Sequence, residues 1–341
     1  MIEVKKLTKN FGEKRAVDDL SFTVSNGVAY GFLGRNGAGK TTTIRILMNV
    51  FREDSGEALF NGVPAYKESV RIGYLPEERG LYAKRGVLEQ LIYFGILKGM
   101  DKKRAESEGK AKLEEMEAAE YTYQKLETLS KGNQQKIQLA VAMLGDPEVI
   151  ILDEPFSGLD PINAQVLKRA VRRQVDEGRT VIFSSHQMAQ VEEFCDDICI
   201  IDKGRSVLEG NLAAIKRSYP RDLMYIETED VPSSLSRKPL DALLRETPYV
   251  TDVTAKGLGF EVRLSEPAKR NMLLRTLEEA DARVDSFYVI EPSLEQIFVE
   301  KAGAIDPSEA VKEDEAEPGG KKSGFGEYVR RKLSFGRRGA K

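Results

Sequence analysis

Gly34-Arg35-Asn36-Gly37-Ala38-Gly39-Lys40-Thr41 reads G-x-x-x-x-G-K-[ST], between the apolar run Val28-Ala29-Tyr30-Gly31-Phe32-Leu33 and the stretch Thr42-Thr43-Ile44-Arg45-Ile46-Leu47-Met48. The run before it predicts a strand and the stretch after it a helix. Strand, glycine-rich loop, helix is the setting in which this motif holds phosphate. The glycines let backbone N–H groups curl around phosphate oxygens with no Cβ in the way, and the helix start adds donors and a partial positive charge. Gly34, Arg35, Asn36, Gly37, Ala38, Gly39 and Thr42 are the expected lining. Lys40 is placed to reach β- and γ-phosphates and the Thr41 hydroxyl to ligate Mg²⁺. Four fixed positions recur by chance in about one chain in a hundred of this length, so a glycine turn without a ligand is a poor reading.

A second stretch supplies what such a loop needs. Val149-Ile150-Ile151-Leu152-Asp153-Glu154 is a β-branched apolar run ending in two carboxylates. A continuous apolar run suits a central parallel strand buried on both faces, and open α/β sheets place ligands at strand C-termini. Asp153 is then the Mg²⁺ partner of the phosphate loop, and Glu154 the group that orients and polarises an attacking water. A further strand, Val181-Ile182-Phe183, ends in Ser184-Ser185-His186, the single histidine of the chain. At the end of a strand in the same sheet, His186 can reach a γ-phosphate. Leu129-Ser130-Lys131-Gly132-Asn133 opens a buried helix with Ser130 as N-cap. Phe11, in the turn Asn10-Phe11-Gly12-Glu13, is a candidate for stacking on an adenine ring.

At 341 residues the chain has room for two domains, and 41% apolar with 31% charged residues fits a globular protein with a substantial core. A net charge of −3 gives no general affinity for polyanions, so no nucleic-acid partner is expected. Cys195 and Cys199 lack a second pair and suggest neither a disulfide framework nor a zinc site; a reducing cytoplasm fits. The start Met1-Ile2-Glu3-Val4-Lys5-Lys6 has no apolar signal core, and no run approaches the roughly 20 residues that cross a bilayer. Any membrane role must come through a partner.

Taken in order, these stretches resemble the ATP-binding-cassette (ABC) ATPases over about residues 1–215. The phosphate loop is Gly34 to Thr41, the signature Leu129 to Asn133, the acidic strand Ile150 to Glu154, the D-loop Ser157 to Asp160, and the switch histidine His186. The resemblance implies an α/β P-loop NTPase: a RecA-like parallel sheet core, an antiparallel β subdomain near the N-terminus, and a helical insertion over about 78–147. It implies ATP and Mg²⁺ as ligands. Two cassettes, identical or different, are expected to meet head to tail. Ser130, Gly132 and Asp160 of one then complete the triphosphate site of the other, and ATP binding closes the dimer. It further implies a peripheral subunit on the cytoplasmic face of a membrane, powering a separate membrane-spanning permease that docks near 77–82 and 86–100. The competing reading is a soluble ABC ATPase acting on nucleic acid or the ribosome. Two departures stand out: Glu77 replaces the usual glutamine and is a metal or water contact, and the signature carries Lys131 and Asn133.

The remainder is similar to the accessory domain of ABC-2 exporter ATPases. Residues 221–302 read β-α-β-β-α-β, a small ferredoxin-like α+β unit with a closing helix from Pro292 to Glu300, and residues 303–320 read as a disordered acidic linker. The end, through Lys321, Lys322, Arg330, Arg331, Lys332, Arg337, Arg338 and Lys341, is basic with Phe325, Tyr328, Leu333 and Phe335 interleaved. Contact with anionic lipid beside a membrane partner is the sharper reading, a solvated tail the plainer one.

Overall fold

A computed structural model describes residues 1–67, 70–78, 80–228 and 240–303. The N-terminal hairpin is β1 (Ile2–Phe11) and β2 (Lys14–Val24), so Phe11 closes a strand and the turn itself is Gly12–Glu13. The phosphate-loop unit follows as β3 (Ala29–Gly34) and α1 (Lys40–Leu47). Next come β4 (Ser55–Phe60), β5 (Val63–Pro64) and β6 (Ile72–Leu75). The helical insertion holds α2 (Val87–Leu97), α3 (Lys102–Glu115) and α4 (Lys131–Ala142). The chain then returns through β7 (Val149–Asp153), α5 (Pro161–Asp176), β8 (Thr180–Ser185), α6 (Met188–Phe194), β9 (Asp197–Asp202), β10 (Arg205–Asn211) and α7 (Leu212–Ser218).

The central sheet runs β10-β9-β3-β8-β7-β6, parallel except for the antiparallel edge strand β10, and a separate antiparallel sheet runs β2-β1-β4-β5. The apolar runs of β3 and β7 have no polar face because both faces are covered. Ala29, Leu33, Ile150 and Leu152 enter the core under the helices, whereas Tyr30, Phe32, Val149 and Ile151 enter the core against the antiparallel sheet and α1. Alternation at a period of two explains how adjacent residues reach opposite cores. The C-terminal ends of β3, β8 and β7 lie side by side, which brings Gly34, Ser185 and Asp153 to one edge.

The two cysteines fall in different cores: Cys195 under the helices and Cys199 against the antiparallel sheet. Burial pushes the Cys199 thiol up to about 12, and the Cys195 thiol higher still. Neither is a thiolate at neutral pH, so neither should react in the folded protein. We expect no labelling by a thiol reagent in buffer and labelling of both cysteines in denaturant; fast native labelling would contradict the packing.

The C-terminal unit comprises β11 (Leu223–Thr228), α8 (Leu240–Glu246), β12 (Val250–Lys256), β13 (Gly259–Leu264), α9 (Arg270–Glu279), β14 (Val284–Val289) and α10 (Leu294–Gly303). Its strand order β12-β13-β11-β14, all antiparallel, is the ferredoxin-like arrangement expected from the β-α-β-β-α-β order. Met224, Ile226, Val262 and Leu264 bury one sheet face against Leu244, Leu273 and Leu277 of α8 and α9. The closing helix behaves differently. Leu294 and Phe298 of α10 belong to the main core under the cassette helices. From 304 on, the expected acidic linker and basic tail lie outside the described residues.

Candidate nucleotide site

The loop between β3 and α1 is shaped by its glycines. Gly39 has φ 107°, and a Cβ there would lie 2.5 Å from the Ala16 carbonyl oxygen of β2, so no other residue fits. The hairpin carrying Phe11 therefore passes directly over the phosphate loop. Phe11 is 45% exposed and meets Phe51 edge to face at 5.4 Å, which leaves much of its surface open.

Lys40 is buried. Its ammonium donates to the carbonyl oxygens of Gly34 at 2.6 Å and Arg35 at 3.2 Å, holding the loop closed around it. Burial depresses the Lys40 ammonium below the usual lysine range, opposed by the nearby charges of Glu154, Asp153 and Glu77. These carboxylates are thus the electrostatic neighbours that sequence order suggested.

Asp153, 2% exposed, ends β7 and accepts a hydrogen bond from Ser184 Oγ at 2.7 Å. Burial holds its carboxyl above the usual aspartate range, Glu154 adds to this, and the Ser184 bond with Lys40 and Arg45 works against it. Asp153, Thr41, Glu77, Arg45 and Tyr74 line one cleft of about 650 Å³. Among the described residues no group of three His, Cys, Asp or Glu forms an all-protein metal site. One buried carboxylate and one hydroxyl on the same cleft suit Mg²⁺ instead, which keeps several waters and takes its other ligands from phosphates.

Glu154 leaves the strand in a left-handed conformation, φ 50°, rare for a residue with a long side chain. Its N–H donates to the Ser184 carbonyl at 2.9 Å, so the chain hooks toward β8. The residue is 6% exposed and its carboxylate is held at both oxygens: Ser185 Oγ donates at 2.9 Å, the His186 N–H at 2.8 Å, and His186 Nδ1 lies 2.6 Å away. A carboxylate that is ionised only accepts, so in that state Nδ1 is the donor of this bond. The sequence placed Glu154 and His186 on separate duties; the structure joins them.

The signature residues gather elsewhere. Ser130 Oγ caps α4 by accepting from the Asn133 N–H at 3.3 Å, and Asp160 caps α5 by accepting from the Asn163 N–H at 3.0 Å and its Nδ2 at 2.6 Å. Asn163 bridges the two helix starts, because a Cβ on Gly132 would lie 2.6 Å from Asn163 Nδ2. Gln135 Nε2 ties this group to the acidic strand by donating to the Pro155 carbonyl at 3.2 Å. Gly132 and Asp160 thus meet at Asn163 while Ser130 caps α4 through Asn133, and the hydrogen bonds of Lys40 go instead to the Gly34 and Arg35 carbonyls. Sequence reasoning gave no role to Ser184, Ser185 or Asn163. The Ser-Ser-His strand end was the one visible signal for the first two. We expect Gly132→Ala to damage turnover through this contact inside the subunit, and Asn163→Ala to recover part of the loss. Lack of any recovery would show that Gly132 matters only for what lies beyond the subunit.

A phosphate loop on β3, acids at the end of β7, a histidine after β8 and a capped signature helix define an ATPase of the ATP-binding-cassette class. The family described as ABC transporter matches residues 17–157, and the DrrA1-3-like ATP-binding protein C-terminal domain matches 210–302. The chain belongs to the ABC transporter ATP-binding proteins, with a DrrA-like C-terminal domain, and is an ATPase subunit. It is 40% identical over 306 residues (89% of this chain, 99% of the relative) to the uncharacterized ABC transporter ATP-binding protein YhaQ of Bacillus subtilis. It is 31% identical over 310 residues (89% and 98%) to the linearmycin resistance ATP-binding protein LnrL of Bacillus subtilis. To Nod factor export ATP-binding protein I of Burkholderia lata it is 34% identical over 280 residues (81% and 90%). Among solved structures, an ATP-binding subunit of an ABC transporter aligns with TM-score 0.59 and 29% identity, covering 64% of this chain and 92% of that one.

Proposed function

We propose that the chain powers export through a separate membrane-spanning subunit, hydrolysing Mg·ATP between two cassettes. The observation that carries the chemistry is the Glu154 carboxylate, hooked off β7 and held by Ser185 and by both the N–H and Nδ1 of His186. Glu154 is the base that takes a proton from the attacking water, and His186 fixes its orientation while presenting Nε2 to the γ-phosphate side. Lys40 exchanges the Gly34 and Arg35 carbonyls for phosphate oxygens. Thr41 and Asp153 would hold Mg²⁺, with Glu77 at the rim, and the ion would neutralise charge on the β- and γ-oxygens. Phe11 offers its open face to the adenine. Ser130, Gly132, Lys131 and Asp160 serve the triphosphate of the second cassette. ATP binding then closes the dimer and hydrolysis reopens it.

Export rests on the relatives named for linearmycin resistance and Nod factor export. Among the described residues no helix is long and apolar enough to cross a membrane, so the translocation path belongs to a partner. The permease would dock where Tyr82, Tyr93 and Phe94 form an aromatic cluster flanked by the exposed Ile96 and Leu97. Affinity purification should bring down a polytopic membrane protein, and Tyr93→Glu should lose it. Salt-sensitive nucleic-acid binding that stimulates hydrolysis would favour the soluble alternative instead. The basic tail would sit on anionic headgroups at the cytoplasmic face; equal co-sedimentation of the full chain and of 1–303 with anionic liposomes would end that idea.

A further inference from the structure

We propose that Phe298, on the last described helix, is a positioning residue for the phosphate loop, acting through Arg35. The inference rests on the nucleotide-site reading above and adds a regulatory connection to it. Residue 35 is held through both its backbone and its side chain. Its carbonyl oxygen accepts from Lys40 Nζ and from the Ala38 N–H, each at 3.2 Å. Its guanidinium lies 5.7 Å from the centroid of the Phe298 ring. A guanidinium over an aromatic face is attracted to the ring quadrupole, more strongly where water is excluded, and Phe298 is 3% exposed.

The helix that brings this ring is seated firmly. Leu294 and Phe298 share the main core with Val191, Phe194, Cys195 and Leu212. The Leu294 N–H donates to Glu192 Oε2 at 3.1 Å, and the same glutamate pairs with Lys216. Glu192 lies on α6, which opens two residues after His186. One helix therefore touches both walls of the triphosphate site: the phosphate loop through Arg35, and the helix that follows the histidine through Glu192. Immediately before Leu294 the chain leaves the accessory sheet, where the Ile290 N–H donates to the Leu223 carbonyl at 2.8 Å and Arg221 pairs with Glu291.

An arginine in a phosphate loop has many rotamers, and ordering it costs entropy each time a nucleotide enters. Phe298 holds that side chain beforehand, so the loop keeps its curl when Lys40 lets go of the carbonyls. Displacing α10, for example by a partner that pulls on the accessory sheet, removes this ring contact from Arg35 and loosens the nucleotide. The accessory domain thereby sets nucleotide affinity without touching the nucleotide.

The test is a double-mutant cycle on the full chain, reading Mg·ATP affinity by calorimetry and folding by thermal melting. Phe298→Leu and Arg35→Ala should each weaken Mg·ATP binding by about 2- to 30-fold, and the double variant should be no weaker than the worse single one. In parallel, Mg·ATP should slow amide exchange across residues 294–301 of the unaltered chain, a readout that needs no variant to fold. Multiplicative losses, or unchanged affinity in a folded Phe298→Leu chain, would overturn the coupling while leaving the nucleotide site intact. Unchanged exchange in α10 on nucleotide binding would do the same. Failure of the unaltered chain to bind Mg·ATP would overturn the nucleotide-site reading itself, and the coupling with it.

Discussion

Glu154→Gln should reduce ATP turnover by about 100- to 10,000-fold, the span of a lost general base, while Mg·ATP binding persists. The glutamine keeps the volume of the buried side chain. Its amide oxygen can still accept from the His186 N–H, and its NH₂ can face Ser185 Oγ, so the hook at the end of β7 should survive. What disappears is the ability to take a proton. With hydrolysis blocked and binding intact, the dimer should accumulate with ATP trapped between its halves, visible as a doubled mass in size-exclusion chromatography with light scattering. Turnover within twofold of the unaltered protein would remove Glu154 from its role, and with it the significance of the contact with His186.

Lys40→Ala should have the second largest effect, a loss of Mg·ATP affinity of at least about 100-fold. Hydrogen bonds to a charged group are worth about 1.5–3 kcal/mol each, and the ammonium reaches two phosphates. Substitution also removes the bonds that close the loop on itself, through the carbonyls of Gly34 and Arg35. Against this stands the relief of a buried ammonium, whose charged form is already disfavoured by burial. The folded protein should therefore be little destabilised in the absence of nucleotide. It should, however, lose the rise in melting temperature that nucleotide gives the unaltered chain, since a ligand stabilises only what it binds. An unchanged nucleotide-induced rise would contradict the assignment.

Much of this was written in the sequence. The strands β3 and β7 are legible because burial on both faces removes polar residues altogether, so each appears as an uninterrupted apolar run. The ends of those runs announce the chemistry, since a glycine loop and two acids have no packing reason to be there. Ser130 as the cap of α4 was equally plain. The ferredoxin-like unit was readable from alternation and turn spacing, down to the hairpin around Gly257.

Other features were not legible, for physical reasons that differ from case to case. The Glu154–His186 bond joins residues 32 apart, and it exists because β7 and β8 pair in one register and Glu154 adopts a positive φ. Local sequence encodes neither. Asn163 on Gly132 depends on how α4 and α5 cross. The spacing of Leu294, Ile297 and Phe298 marks an amphipathic helix but does not say which core receives it. The accessory core was the nearer choice in sequence, yet Leu294 and Phe298 pack into that of the cassette.

The central claim is that one chain holds half of each working site, with the phosphate loop on one copy and Ser130, Gly132 and Asp160 on another. The most direct measurement is ATPase rate per chain as protein concentration is raised through the range where the dimer forms, with oligomeric state followed in the same samples. The account predicts that specific activity rises with concentration in step with the dimer fraction and saturates with it. A rate per chain that stays constant while the protein remains monomeric would contradict it.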